Sequence, residues 1–289
     1  MIAALGDHLK LSRPGLWFPT VWLYLLPVAG QPVPLPGAPG ALPFWAGLLW
    51  ATFPLNHLVY GWNDAVDADT DALNPRKDSW LFGARLPADR LARLPRALAA
   101  VQLPVWALLV ALGGPRVLGL LVAILAVLWA YNHPRRGLRG RPPWDLVSQA
   151  GYLLTVMVSA TLNGVPLPSP IVFLYLSLFC AQSQLIGEVM DIEPDRAAGR
   201  RTTATVLGAR HTKTLIIGIV AAEALLVALP LGDPAFGAGL GAFLLWLLLD
   251  QLVLFRDGRY SLGQMKLFGL GGNACAVASM AWVWARGGW

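Results

Sequence analysis

The chain reads as an all-α, polytopic membrane protein with nine transmembrane helices. Three observations point there. Of 289 residues, 56% are hydrophobic and 13% charged, about half the charged share of a soluble domain. Apolar stretches near the ~20 residues that a bilayer-crossing helix needs follow one another along the whole length. Basic residues collect in alternate loops between them, the pattern that orients membrane segments.

Apolar length and flanking punctuation place the spans at 14–30, 42–62, 94–113, 116–131, 146–162, 169–187, 214–231, 236–255 and 267–285. Pro19, Pro27, Pro54 and Pro104 fall within or beside them. They predict kinks or adjusted ends, since neighbouring helices can satisfy the freed carbonyls. The first span lacks a small-residue cleavage site after a short apolar core, so no removable signal peptide is expected. Cys180 and Cys275 lie inside apolar runs and read as small buried hydrophobes.

The loops test this assignment independently. Of the 22 Lys and Arg, 20 belong to one set of segments, counting Arg96 just inside the third span, and only Arg116 and Arg286 fall on the other side. That set is the N-terminus and the loops after the second, fourth, sixth and eighth spans. A wrong span count would scramble the alternation. The positive-inside bias then puts the N-terminus and these loops in the cytoplasm and the C-terminus outside the cell membrane. The other loops are minimal: 31–42 is Pro/Gly-rich and uncharged, and 163–168 and 232–234 are short turns. The net charge of +6 and the pI near 9.7 therefore report membrane orientation. The bilayer is an expected partner and nucleic acid is not, because no soluble basic domain is present.

Against this apolar background, Asn63-Asp64-Ala65-Val66-Asp67-Ala68-Asp69-Thr70-Asp71 closes the second span. Carboxylates packed so densely at a membrane edge are costly and mark function. In a helix, Asn63, Asp67 and Asp71 share one face, as do Asp64, Asp67 and Asp71. Such carboxylates repel one another unless a cation sits between them. A hard cation, Mg2+ before Zn2+, suits oxygen donors. Asp69 and Asp78 read as solvent-facing.

A second cluster follows the sixth span. Asp191 and Asp195 stand at i, i+4, with Glu188 one turn earlier, either supporting the cluster or charging a helix end. Pro194 is a possible helix breaker there. Both clusters follow even-numbered spans on the same membrane face. This suggests one domain over 1–289, built of two pseudo-repeat halves, roughly 1–132 and 133–289. Two such clusters can hold Mg2+ ions that in turn hold a diphosphate, which carboxylates alone would repel. Arg76, Lys77, Arg200 and Arg201 add positive charge for phosphate oxygens, although topology alone also accounts for them.

Asn63-Asp64-x-x-Asp67-x-x-x-Asp71 and Asp191-x-x-x-Asp195-x-x-x-Gly199 resemble the two signature motifs of the UbiA superfamily of intramembrane prenyltransferases. The resemblance covers the whole chain. It implies a bundle of nine helices around a central cavity capped by cytoplasmic loops. It also implies Mg2+-dependent transfer of a prenyl group from an isoprenoid diphosphate to an apolar acceptor, such as a carotenoid or quinone precursor. Asp64, Asp67, Asp71, Asp191 and Asp195 would then be the catalytic metal ligands. Asn63, Arg76, Lys77, Tyr131, Arg136, Arg200 and Arg201 would contact substrate. Tyr131-Asn132-His133-Pro134-Arg135-Arg136 resembles the family's Tyr-Ser-x-Pro loop, with Asn132 in place of Ser and Arg in place of the usual following Lys. Asn74-Pro75-Arg76-Lys77-Asp78-Ser79 departs from the Arg-Pro-Leu stretch of quinone-type members. It looks more like members acting on carotenoids, such as lycopene elongases.

In the implied mechanism the diphosphate ionises in a dry cavity. Aromatic faces stabilise the allylic cation, with Tyr60, Trp62, Tyr131, Tyr152 and Tyr175 placed for that role; interfacial anchoring explains the same aromatics. No residue is marked as the base that takes the final proton. His57 reads as a packed, hydrogen-bonded residue. His133 and His211 are loop residues without a metal-ligand pattern. Glu223 and Asp250 are either buried partners or helix-end charges. Other functions share some of these features. A terpene cyclase on the same scaffold would ionise the diphosphate with no second substrate. A cation-coupled transporter would hold its acids near the midplane of broken helices, whereas these cluster at span ends. A CDP-alcohol phosphotransferase would need an Asp-Gly-x-x-Ala-Arg core, which the chain lacks.

Overall fold

A computed structural model gives the architecture, and it is helical throughout. It describes residues 2–258 and 260–289. Arg259, one of the basic residues counted above, and the side chain of Asp69 lie outside the described residues, as do Met1 and the side chains of residues 2–4. Among the described residues there is no β-strand, only an isolated bridge between Ser79 and Gly83. Among the described residues, six helical segments are long and apolar enough to cross a membrane: Ala88–Asn132, Trp144–Asn163, Pro170–Ala197, Thr203–Ala228, Pro234–Leu254 and Leu262–Arg286.

Each of the expected spans falls on helical chain, but proline and glycine reshape several of them. A short helix, α1 (Ile2–Leu11), precedes the first span. That span is a 3-10 turn at Pro14–Leu16, then α2 (Phe18–Leu25), then a second 3-10 turn at Leu26–Val28 that contains Pro27. The second span is α3 (Ala41–Ala51) and α4 (Phe53–Val66), interrupted at Thr52 with φ −86° and ψ −115°. Pro19 and Pro54 sit in the first turns of α2 and α4, where a missing N–H costs nothing. After α5 (Ala68–Leu73), the third and fourth spans form one element, α6 (Ala88–Asn132). It changes direction at Gly114, φ 70° and ψ −162°, a conformation that only glycine adopts cheaply.

The fifth span is α7 (Trp144–Val147), a 3-10 stretch at Ser148–Leu153, and α8 (Leu154–Asn163). Helix α9 (Pro170–Ala197) runs well past the expected end at 187. It therefore carries Glu188, Asp191 and Asp195 in helical register, and Pro194 does not break it. Helix α10 (Thr203–Ala228) opens on a capping box formed by Thr202 and Thr205. Helix α11 (Pro234–Leu249) passes into a π-helical turn at Asp250–Leu254, and α12 (Leu262–Arg286) follows.

The chain forms two compact units. The first comprises the chain up to Asn132, Leu154–Leu167 and Lys266–Gly288; the second comprises His133–Leu153, Pro168–Met265 and Trp289. In the first unit, buried Tyr24, Trp50, Leu109, Leu121 and Val158 form the core. The Ser159 hydroxyl donates to the Tyr24 carbonyl at 2.5 Å. His57 is fully buried and hydrogen-bonded to His8 at 3.1 Å, as its apolar surroundings predicted. In the second unit, Leu185, Ile216, Val220 and Leu247 join α9, α10 and α11. Asp250 is a buried partner rather than a helix-end charge: its Oδ2 receives Lys213 Nζ at 2.7 Å and the Tyr260 hydroxyl at 2.5 Å. Glu223 is fully buried in α10. Cys180 is buried as expected, but Cys275 lies on an exposed face of α12, because that helix is apolar on faces that do not pack within the chain.

Candidate functional site

The first acidic motif straddles a bend. Asp67 leaves helical geometry at φ −101° and ψ 12°, so α4 ends and α5 begins around it. The bend stays hydrogen-bonded, with Asp67 N donating to Asn63 O at 2.9 Å and Asp71 N to Asp67 O at 2.8 Å. The single acidic face expected of a continuous helix is thereby divided in two. Asn63 Nδ2 donates to Asp67 Oδ2 at 3.0 Å. Asp64 and Asp71 meet at Lys77 instead, whose Nζ lies 2.6 Å from Asp64 Oδ1 and 2.7 Å from Asp71 Oδ2.

Arg13 completes this group. Its Nη2 donates to Asp64 Oδ1 at 2.7 Å, and its guanidinium lies 4.3 Å over the Tyr60 ring. One face of Tyr60 is therefore taken by a resident cation, which revises its expected role toward an allylic cation. Gly83 permits the close approach. It has φ +99°, and a Cβ there would lie 3.0 Å from Arg13 Nε and 3.4 Å from Asp64 Oδ2. Burial pushes the Asp71 carboxyl up to about 6; Asp64 adds to the shift, while Lys77 and Arg13 oppose it. Burial favours loss of the Arg13 proton, but the charges of Asp64, Tyr60 and Asp71 outweigh it and raise the Arg13 pKa.

The turn after α5 directs Lys77 inward. Asn74 Oδ1 accepts from Arg76 N at 3.0 Å, and Arg85 Nη2 donates to Asn74 O at 2.9 Å. The Arg76 guanidinium lies 4.8 Å over the Phe82 ring. Asp78, exposed as expected, pairs with Lys10 at 2.6 Å. With the Asp7–Arg90 ion pair and the His8–His57 bond, this ties α1 down beside the motif.

The second motif occupies the last turns of α9. Asp191 is half-buried and Asp195 buried. Arg200 Nη1 approaches Asp195 Oδ1 at 3.5 Å, and Arg200 N donates to Asp195 O at 2.8 Å. Gly199, at φ +68°, reverses the chain between them. Arg201 is exposed. Glu188 is neither solvated nor a simple end charge: it accepts from Gln184 Nε2 at 3.0 Å and from Ala204 N at 3.1 Å. Tyr131 is half-buried in the last turn of α6, and Arg136 is exposed in the following loop, its N–H donating to His133 Nδ1 at 3.1 Å.

Two residues escaped sequence reasoning. Arg13 read only as a topology signal. Asp145 carried one available mark, an acid directly before an apolar span; it is fully buried against Thr203 at the start of α10.

Among the described residues, no three His, Cys, Asp or Glu side chains converge as a metal cluster. The donor set still fits a hard cation in kind, being carboxylate with a neighbouring amide. Asp64 Oδ2, buried and without a hydrogen-bond partner, is an oxygen open to such a ligand. Carboxylates interleaved with buried ammonium and guanidinium groups can serve a cation and a polyanion together.

Comparison with known proteins identifies the family. A lycopene elongase/hydratase of Corynebacterium glutamicum is 33% identical over 202 residues, covering 68% of this chain and 69% of that protein. A lycopene elongase/hydratase of Haloferax volcanii is 35% identical over 231 residues, covering 72% and 68%. That of Halobacterium salinarum is 32% identical over 241 residues, covering 81% and 82%. A UbiA homologue from Archaeoglobus fulgidus bound to DMAPP and Mg2+ shares the fold, with a TM-score of 0.63 at 16% identity over 95% of this chain and 99% of that one. The same homologue bound to GPP and Mg2+ gives 0.62 at 16% identity, again over 95% and 99%. The profile of the UbiA prenyltransferase family matches residues 16–270. With its apolar helices and two acidic motifs, the chain belongs to the UbiA prenyltransferase family and is a multi-pass membrane prenyltransferase.

Proposed function

We propose that this enzyme moves a prenyl group from an isoprenoid diphosphate to a carotenoid-type acceptor, with Mg2+ as cofactor. The bridge of Asp64, Lys77 and Asp71, joined by Arg13, carries the diphosphate part of this reading, because it keeps anionic and cationic groups side by side in a buried place. The lycopene elongase/hydratase relatives support the acceptor class, and the Archaeoglobus fulgidus homologue bound to DMAPP and Mg2+ supports the donor and the metal.

Asp64, Asp67, Asp71, Asp191 and Asp195 would hold Mg2+, which when bound would offset the negative charge of the leaving diphosphate. Lys77, Arg13, Arg76, Arg200 and Arg201 take phosphate oxygens. Asn63 orients Asp67, and Tyr131 and Arg136 contact the donor from the loop after α6. The allylic C–O bond breaks with its electron pair leaving on the diphosphate. The apolar helices exclude water until the acceptor's double bond attacks and a proton departs. Each of the halves 1–132 and 133–289 carries one acidic motif, with the N-terminus and motif loops in the cytoplasm and the C-terminus outside.

The test is to incubate the purified protein with Mg2+, dimethylallyl or geranylgeranyl diphosphate, and a panel of lycopene and quinone precursors, followed by mass analysis of the lipids. The expected product is lycopene heavier by one prenyl unit. A cyclised hydrocarbon formed from the diphosphate alone would overturn the transferase reading. Asp67→Ala and Asp191→Ala are expected to abolish turnover while membrane insertion persists.

A further inference from the structure

Asp145 sits in α7, fully buried, with both oxygens on the first residue of α10. Its Oδ2 accepts from Thr203 N at 2.6 Å, and its Oδ1 from the Thr203 hydroxyl at 2.7 Å. Glu188, from α9, accepts the next N–H, that of Ala204, at 3.1 Å. Thr202 Oγ1 accepts the third, that of Thr205, at 3.2 Å. A helix start of this kind normally attracts an external anion. Here two carboxylates of the chain already occupy it.

The capping box satisfies only the N–H groups of Thr202 and Thr205; Asp145 and Glu188 take the buried N–H groups of Thr203 and Ala204 between them. Two buried carboxylates of like charge carry desolvation and mutual repulsion that neutral caps would not. The adjoining loop ties this helix start to the second motif. The Thr205 hydroxyl shares its one proton between the Thr202 carbonyl at 2.9 Å and the Arg200 carbonyl at 3.3 Å, Arg200 N donates to the Asp195 carbonyl at 2.8 Å, and the Arg200 guanidinium lies 3.5 Å from the Asp195 carboxylate. An unbroken series of contacts thus runs from Asp145 through the first turn of α10 to Arg200 and Asp195.

We propose that Asp145, together with Glu188, is a positioning residue for the isoprenoid diphosphate: it locks the start of α10 so that Arg200 is held at Asp195. The inference rests on the reading of the second motif as part of the diphosphate site. It assigns the phosphate oxygens to the side chains of the 198–202 loop and not to the N–H groups of α10.

The test measures kcat and the KM for each substrate in the purified full-length enzyme for Asp145→Asn, Thr203→Val, Arg200→Gln and the double variant Asp145→Asn/Arg200→Gln. Asp145→Asn sets an amide donor against either the Thr203 N–H or the Leu146 N–H, and donor KM is expected to rise about tenfold, with acceptor KM unchanged. Thr203→Val removes only the hydroxyl contact, keeps the backbone bond, and is expected to raise donor KM about threefold. The double variant is expected to be no worse than Arg200→Gln alone, since both act through the same guanidinium. Multiplicative effects in the double variant would overturn the inference. So would a lowered thermal midpoint in Asp145→Asn and Thr203→Val with donor KM unchanged. Turnover and donor KM untouched by Asp191→Ala would instead overturn the diphosphate assignment of the second motif, and this inference with it.

Discussion

Lys77 is held by two carboxylates and is almost fully buried with Asp64. Removing Lys77 leaves Asp71 without its ammonium partner, while Asp64 keeps Arg13, and breaking such a buried group costs up to about 3–5 kcal/mol. Lys77→Met is therefore expected to lower stability by that order and to abolish donor binding, read by unfolding of the detergent-solubilised protein and by diphosphate inhibition. Lys77→Arg is not expected to rescue it, because a planar fork does not fit between two carboxylates spaced for a single ammonium nitrogen. The need for a cation at this motif was legible from the crowding of Asp64, Asp67 and Asp71. That the chain itself supplies one was not, because Lys77 arrives through the conformation of the Asn74–Ser79 turn.

Helix ends and breaks follow local rules, and those rules make predictions. Gly114 turns α6 at a positive φ, so Gly114→Ala is expected to destabilise by about 1–3 kcal/mol without touching the site; unfolding and donor KM measured together check this. Thr202→Ala removes the cap of α10 and is expected to cost about 1 kcal/mol. The extension of α9 through Pro194 was hard to foresee. A proline in the last turn removes only one N–H and leaves the preceding helix intact, so Asp191 and Asp195 keep their i, i+4 relation. The bend at Asp67 was equally hidden, since nothing in Val66-Asp67-Ala68 forbids a helix. It is the bend that sends Asp67 to Asn63 and Asp64 to Lys77.

The described helices are predominantly apolar, with most of the charge in the connecting segments and near helix ends, and this carries the predictions about topology and metal. A single cysteine at Asp78, exposed beside α1, is expected to react with an impermeant reagent only from the cytoplasmic face, and one at Gly37 only from outside; the reverse pattern would overturn the orientation. Chelation by EDTA is expected to abolish prenyl transfer, with Mg2+ restoring it. Full turnover in EDTA would remove the metal from the mechanism.

The all-helical membrane class and the two acidic motifs were readable from residue order, because each depends on composition within a window no longer than a helix. The family resemblance rested on those same short patterns. The partners of the charges were not readable. Arg13 reaches Asp64 from 51 positions away, and Asp145 reaches Thr203 from 58. A buried charge takes whichever opposite or hydrogen-bonding group the packing brings to it, and packing is a long-range outcome. For the same reason Asp145, an unremarked acid before an apolar span, became the anchor of the second motif's loop.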